Sequence, residues 1–209
     1  MNPIAGTLDT LRSTLLVGLL EAASSNLKVG RKQVTLFEVG SVFDARRNES
    51  IKMGFVFSGQ ESGESVENHG KPSSIGFGKF VQKISDVIGD FELRDVDLTH
   101  TLAHPYQSAE ILVNGNVIGT LFKLHPSIQK EYSLDSTYLC EIDFDRLKYS
   151  LDVASSFSKY QASYRDLSVV IPKSLQYAEL RSVIEEAQST EVVRFYPVEH
   201  TRAKNWVRA

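Results

Sequence analysis

Hydrophobic positions along this chain fall first into a helical rhythm, then into strand alternation, and then back again. Between residues 9 and 28, Leu11, Leu15, Leu19 and Ala22 recur at three- and four-residue spacing, and Leu16 and Leu20 widen that face. Asp9 or Thr10 can cap this predicted helix, and Gly30 with its basic neighbours ends it. From Val34 to Phe43 the alternation predicts a strand, and Ile51 to Ser58 returns with Met53, Phe55 and Phe57 on one side. The polar stretch Asp44 to Ser50 between them reads as a hairpin turn. Gln60 to Ser74, rich in Gly, Ser and Glu, reads as a surface loop.

Phe80, Val81, Ile84, Val87 and Ile88 make residues 77–88 an amphipathic helix, and Phe91 to Asp97 a strand follows. Ser108–Val113 and Val117–Lys123 are predicted strands joined at Asn114-Gly115, residue types that accept the positive φ angles of a two-residue hairpin. His125-Pro126 opens a short helix, Thr137–Phe144 is a strand, and Asp145 to Leu147 is a helical turn. Composition changes at Tyr149 to Ser158, a serine-rich linker. Beyond it, Tyr164–Ile171 reads as a strand, Leu175–Gln188 as a helix and Glu191–Val198 as a strand. Two domains are therefore expected, residues 1–150 and 157–209. A strand–helix–strand unit of about 50 residues is short for a free-standing domain, so the second one reads as truncated.

Composition narrows the function classes. The 209 residues are 42% hydrophobic with a net charge of -3, so any RNA contact must come from a local basic patch. The single cysteine, Cys140, cannot form an internal disulfide and reads as a buried hydrophobe in a strand, which fits a reducing cytoplasm. No apolar run approaches the ~18 residues of a membrane span, so no membrane partner is expected. His100 and His104 have helical metal-pair spacing, but Pro105 opposes a helix there. Gly76-Phe77-Gly78 lacks the Lys-Ser/Thr of a phosphate loop. Asp143 and Asp145 read as one solvated face of a strand rather than an acid–base pair.

Four segments carry a resemblance. They are Asn2-Pro3 with Leu11-Arg12-Ser13-Thr14-Leu15-Leu16-Val17-Gly18-Leu19-Leu20-Glu21-Ala22; Leu36-Phe37-Glu38-Val39-Gly40-Ser41-Val42-Phe43; His104-Pro105 and Ser108-Ala109-Glu110-Ile111 running to His125-Pro126; and Tyr164-Arg165-Asp166-Leu167-Ser168-Val169-Val170. In this order the chain resembles the C-terminal part of the β subunit of bacterial phenylalanyl-tRNA synthetases. The resemblance implies an α+β fold: a class II synthetase-like antiparallel sheet with flanking helices, then a partial ferredoxin-like βαβ unit of an anticodon-binding domain. It implies partners too, namely the catalytic α subunit in an (αβ)₂ assembly and phenylalanine tRNA. ATP and magnesium would belong to the α subunit, with no cofactor or metal in this fragment.

The residues at the inherited nucleotide site bear on activity. Class II synthetases carry an arginine for the ATP α-phosphate just after a Val-Phe strand end, where a fixed cation with planar donors is needed. Asp44 occupies that position here, with Arg46 and Arg47 close behind. In the third motif, Glu141 and Asp143 stand where glycines would make room for ATP, while the resemblance aligns Arg146 with the adenine-stacking arginine. No catalytic residue is therefore expected. Leu11, Leu15, Leu16 and Leu19 are the expected subunit-interface residues, because the helix carries more apolar side chains than one buried stripe requires. Lys159, Arg165, Arg194 and Arg202, interleaved with aromatics, are the expected tRNA contacts. The alternative is a degenerate synthetase paralogue that binds a regulatory small molecule.

Overall fold

The computed structural model describes residues 10–96, 100–147, 159–172, 174, 175, 177–187, 192 and 195–198. The chain divides into two compact units, Met1–Val153 and Ala154–Ala209.

The first unit is built on six strands: β1 (Gln33–Phe43), β2 (Glu49–Gly59), β3 (Glu92–Asp95), β4 (Ala103–Val113), β5 (Asn116–Leu124) and β6 (Thr137–Asp143). They form one sheet in the order β1-β2-β6-β5-β4-β3, and every neighbouring pair is antiparallel. Helices α1 (Leu16–Lys28), α2 (Phe77–Ile88) and α3 (Pro126–Glu131) flank it. The α+β class and the antiparallel sheet expected from the pattern are thus observed.

Alternation along the strands sends successive side chains to opposite faces, and each face has its own core. On one, Leu15, Leu16, Leu19, Leu20 and Ala23 pack against Val34, Val42, Val56 and Leu139. The approach is close: a Cβ on Gly54 would lie 2.9 Å from Leu19 Cδ1 and 3.1 Å from Leu15 Cβ. On the other, Phe80 and Ile84 of α2 pack with Phe57, Ile111, Tyr138 and Ile142. The Phe80 ring stacks on Tyr138 at 5.6 Å and meets Phe57 edge-on at 5.3 Å.

The hairpin at Asn114-Gly115 forms as predicted, with φ of 51° and 73°. His125 caps α3, accepting a hydrogen bond from the Ser127 N–H, with Pro126 in the first turn. Strand β4 begins earlier than its alternation suggests. Its pairing jumps from Ala103↔Leu124 to Ser108↔Phe122, and the looped-out residues include Pro105, which has no N–H to give a ladder.

Two expectations need correction. The helix predicted over 9–28 starts only at Leu16. The preceding residues are bonded elsewhere: the Phe43 N–H donates to the Arg12 carbonyl at 2.9 Å, and the Leu15 N–H donates to Glu141 Oε1 at 2.8 Å. Those tertiary bonds replace the first helical turns. In the second unit, α4 (Tyr177–Ala187) forms, but the strand expected over 164–171 has no ladder partner among the described residues. A strand exists only by pairing, and its expected neighbour, 191–198, is only partly described. The linker 149–158 lies outside the described residues.

Candidate functional site

The hairpin between β1 and β2 positions the first residue of interest. Asp44 turns its carboxylate inward on its own loop, accepting from the Arg46 N–H, the Asn48 N–H and the Asn48 amide, each at 2.8 Å. The Asn48 amide, followed by the Asn48 backbone, holds the Asp44 carboxyl below its ordinary value. The anion is thus built into the turn, and Arg47 sits in the same turn at φ 66°.

At the far end of β6, Glu141 is committed to the entry of α1. Its Oε1 accepts from the Thr14 hydroxyl at 2.7 Å and from the Leu15 N–H at 2.8 Å. Asp143 pairs with Lys52 from β2 and, at 3.3 Å, with Arg146. The Arg146 guanidinium also donates to the Val117 carbonyl at 2.8 Å. These two carboxylates and Arg146 knit β2, β5, β6 and the segment before α1 together. Just before Glu141, Cys140 is fully buried. Burial, with the Glu141 charge adding to it, pushes its thiol well above the usual range, so it is no nucleophile at neutral pH.

The expected interface leucines separate into two groups. Leu15, Leu16 and Leu19 are 1%, 2% and 4% exposed and belong to the core. Leu11 remains 41% exposed, and Val17, outside the four expected residues, is 42% exposed. Helical periodicity marks one apolar stripe but cannot tell which flank the sheet will cover. A second apolar strip, Phe37, Val39 and Ile51, lies on the face away from α1, on β1 and β2. Since β1 is an edge strand, that strip borders an unpaired ladder. The alternation of Phe37 and Val39 was the available signal for it.

Of the expected RNA contacts, Lys159 is exposed. Arg165 is exposed as well and donates to the Tyr164 carbonyl at 2.8 Å. Arg194 and Arg202 lie outside the described residues. No group of three or more His, Cys, Asp or Glu able to hold a metal occurs among the described residues. No helix among them is long and apolar enough to cross a membrane.

An antiparallel sheet flanked by helices α1, α2 and α3, with Glu141 and Asp143 bonded within it, defines an α+β module. The chain belongs to the phenylalanyl-tRNA synthetase beta chain family: residues 1–144 match that family's CLM domain. It is similar to the phenylalanine–tRNA ligase beta subunit of Sulfurimonas denitrificans, 52% identical over 199 residues, covering 95% of this chain and 26% of that protein. The Campylobacter jejuni beta subunit is 39% identical over 186 residues, covering 89% and 24%. The Helicobacter pylori one is 36% identical over 198 residues, covering 95% and 26%. The chain thus spans about a quarter of the length of the curated relatives it matches. Among solved structures, pyrrolysyl-tRNA synthetase from Desulfitobacterium hafniense overlays with a TM-score of 0.46 at 13% identity, over 65% of this chain and 48% of that one.

Proposed function

We propose that this chain is a non-catalytic, class II synthetase-like module of a phenylalanine–tRNA ligase beta subunit, followed by part of its anticodon-binding domain from about residue 157. It supports attachment of phenylalanine to its tRNA in the cytoplasm by assembling with a catalytic α subunit in an (αβ)₂ enzyme and by helping to position the tRNA. ATP and magnesium act on the α subunit. One observation carries the inactive reading: all three acids at the inherited nucleotide positions, Asp44, Glu141 and Asp143, are held in internal bonds. Phosphate binding there would require breaking those bonds and then overcoming like-charge repulsion.

Of the apolar residues in and just before α1, the exposed Leu11 and Val17 are the ones left for an assembly surface, since Leu15, Leu16 and Leu19 are buried in the core. Apolar area covered by a partner stabilises a complex by about 25 cal/mol per Å² before association costs. Leu11→Asp with Val17→Asp places two charges in that contact without entering the core. Co-expressed with the α subunit, this double variant should fail to co-purify while keeping the circular dichroism of the parent. Unimpaired co-purification would remove α1 from the interface. Lys159 and Arg165 are proposed tRNA contacts, and so are Arg194 and Arg202.

A further inference from the structure

The residues that end α1 do more than stop a helix. Gly30, at φ 93°, turns the chain back. Its N–H donates to the Leu27 carbonyl at 2.9 Å, and the Arg31 N–H donates to the Asn26 carbonyl at 3.2 Å. The helix end is therefore satisfied by its own backbone, which leaves the neighbouring cationic side chains for other work. Lys28, Arg31 and Lys32 line a cleft of about 260 Å³ whose other walls include Gln60, Ser133 and Asp135.

Backbone bonds fix the three segments that form this cleft. The Gln60 N–H donates to the Lys32 carbonyl at 2.9 Å, and the Gly59 N–H donates to the Ser136 carbonyl at 3.3 Å. Ser133 is held at φ 56°, with the Leu134 N–H bonded to the Gln129 carbonyl at 2.8 Å. Three cations thus face one carboxylate on a preformed frame, and none of the three forms an ion pair among the described residues. In a chain of net charge -3, such a local excess is the kind of patch that a neutral or acidic protein needs in order to hold a polyanion. The cleft is smaller than the ~300–1,000 Å³ of typical small-molecule pockets, and no aromatic side chain lines it. It suits one charged group of a larger molecule. Arg31 can offer a planar fork, Lys28 and Lys32 point charges, and the Ser133 hydroxyl and Gln60 amide neutral donors to the same oxygens.

We propose that the cleft formed by Lys28, Arg31, Lys32, Gln60 and Ser133 binds a backbone phosphate of tRNA. It would be a contact within the first unit, independent of the basic residues beyond 157. The proposal rests on the tRNA role argued above. Its test uses the full-length beta subunit assembled with its partner, a tRNA transcript as probe, and binding measured across a salt series. Lys28→Ala/Arg31→Ala/Lys32→Ala should weaken binding roughly ten- to thirtyfold at moderate salt. It should flatten the slope of log K against log salt by about 1, because the counterion release that goes with one phosphate contact is lost. A charge-matched control, Lys71→Ala/Lys79→Ala/Lys83→Ala, should stay within about twofold of the parent with an unchanged slope. If the parent binds tRNA and the cleft variant matches the control, the cleft assignment falls while the tRNA role stands. If the parent shows no salt-dependent tRNA binding, both fall. Intact RNA binding with lost recovery of a protein partner would make the cleft an acidic-protein contact and overturn the RNA assignment.

Discussion

Phe80→Ala should cost the first unit about 3–5 kcal/mol in a urea unfolding experiment, as expected for deleting a fully buried aromatic side chain. Phe80 is 0% exposed and is the point at which α2 grips the sheet, contacting Phe57 of β2 and Tyr138 of β6. Its ring contacts tie neighbouring strands to the helix, so truncation leaves a cavity that neither strand can collapse into without leaving its ladder. Domain stabilities of roughly 5–15 kcal/mol leave little margin for such a loss. On the same helix, Val87 is 58% exposed, and Val87→Ala should stay within about 0.5 kcal/mol of the parent. A Phe80→Ala cost below about 1 kcal/mol would mean that α2 is not anchored through this ring.

The second large effect is an absence of chemistry. The full-length beta subunit, purified without its partner, should give only background phenylalanine-dependent ATP–pyrophosphate exchange. Restoring the missing cation by Asp44→Arg should not rescue it. That change replaces one acid and also removes the acceptor that organises the 44–48 turn. Glu141 would still be bonded to Thr14 and Leu15, and Asp143 still paired with Lys52. Exchange well above background in the parent, or a large gain in Asp44→Arg, would show that the inherited site still binds ATP.

Elements specified by neighbouring residues were legible in the sequence. Asn114-Gly115 makes its hairpin because both residues tolerate positive φ, and His125-Pro126 starts α3 because one caps and the other fits the first turn. Alternation also gave β1, β2 and β6 and the antiparallel pairing of the sheet. What failed depends on distant partners. The α1 start was misjudged because the acceptor for the Leu15 N–H is Glu141, 126 residues away. The burial of Leu15 and Leu19 was hidden for a related reason: both sit against Gly54, whose missing side chain draws the helix into the sheet. Periodicity cannot register such an approach. The basic cleft was equally hidden. Residues 28–32 read as an ordinary helix end until residues near 60 and 133 are folded against them.

Pre-steady-state adenylate formation in the assembled enzyme bears most directly on whether this module has given up catalysis. Rapid mixing with ATP and phenylalanine yields a burst of pyrophosphate whose amplitude counts active sites. A non-catalytic beta subunit gives one equivalent per αβ pair, unchanged by Asp44→Ala. Two equivalents per pair, or a burst halved by Asp44→Ala, would contradict it.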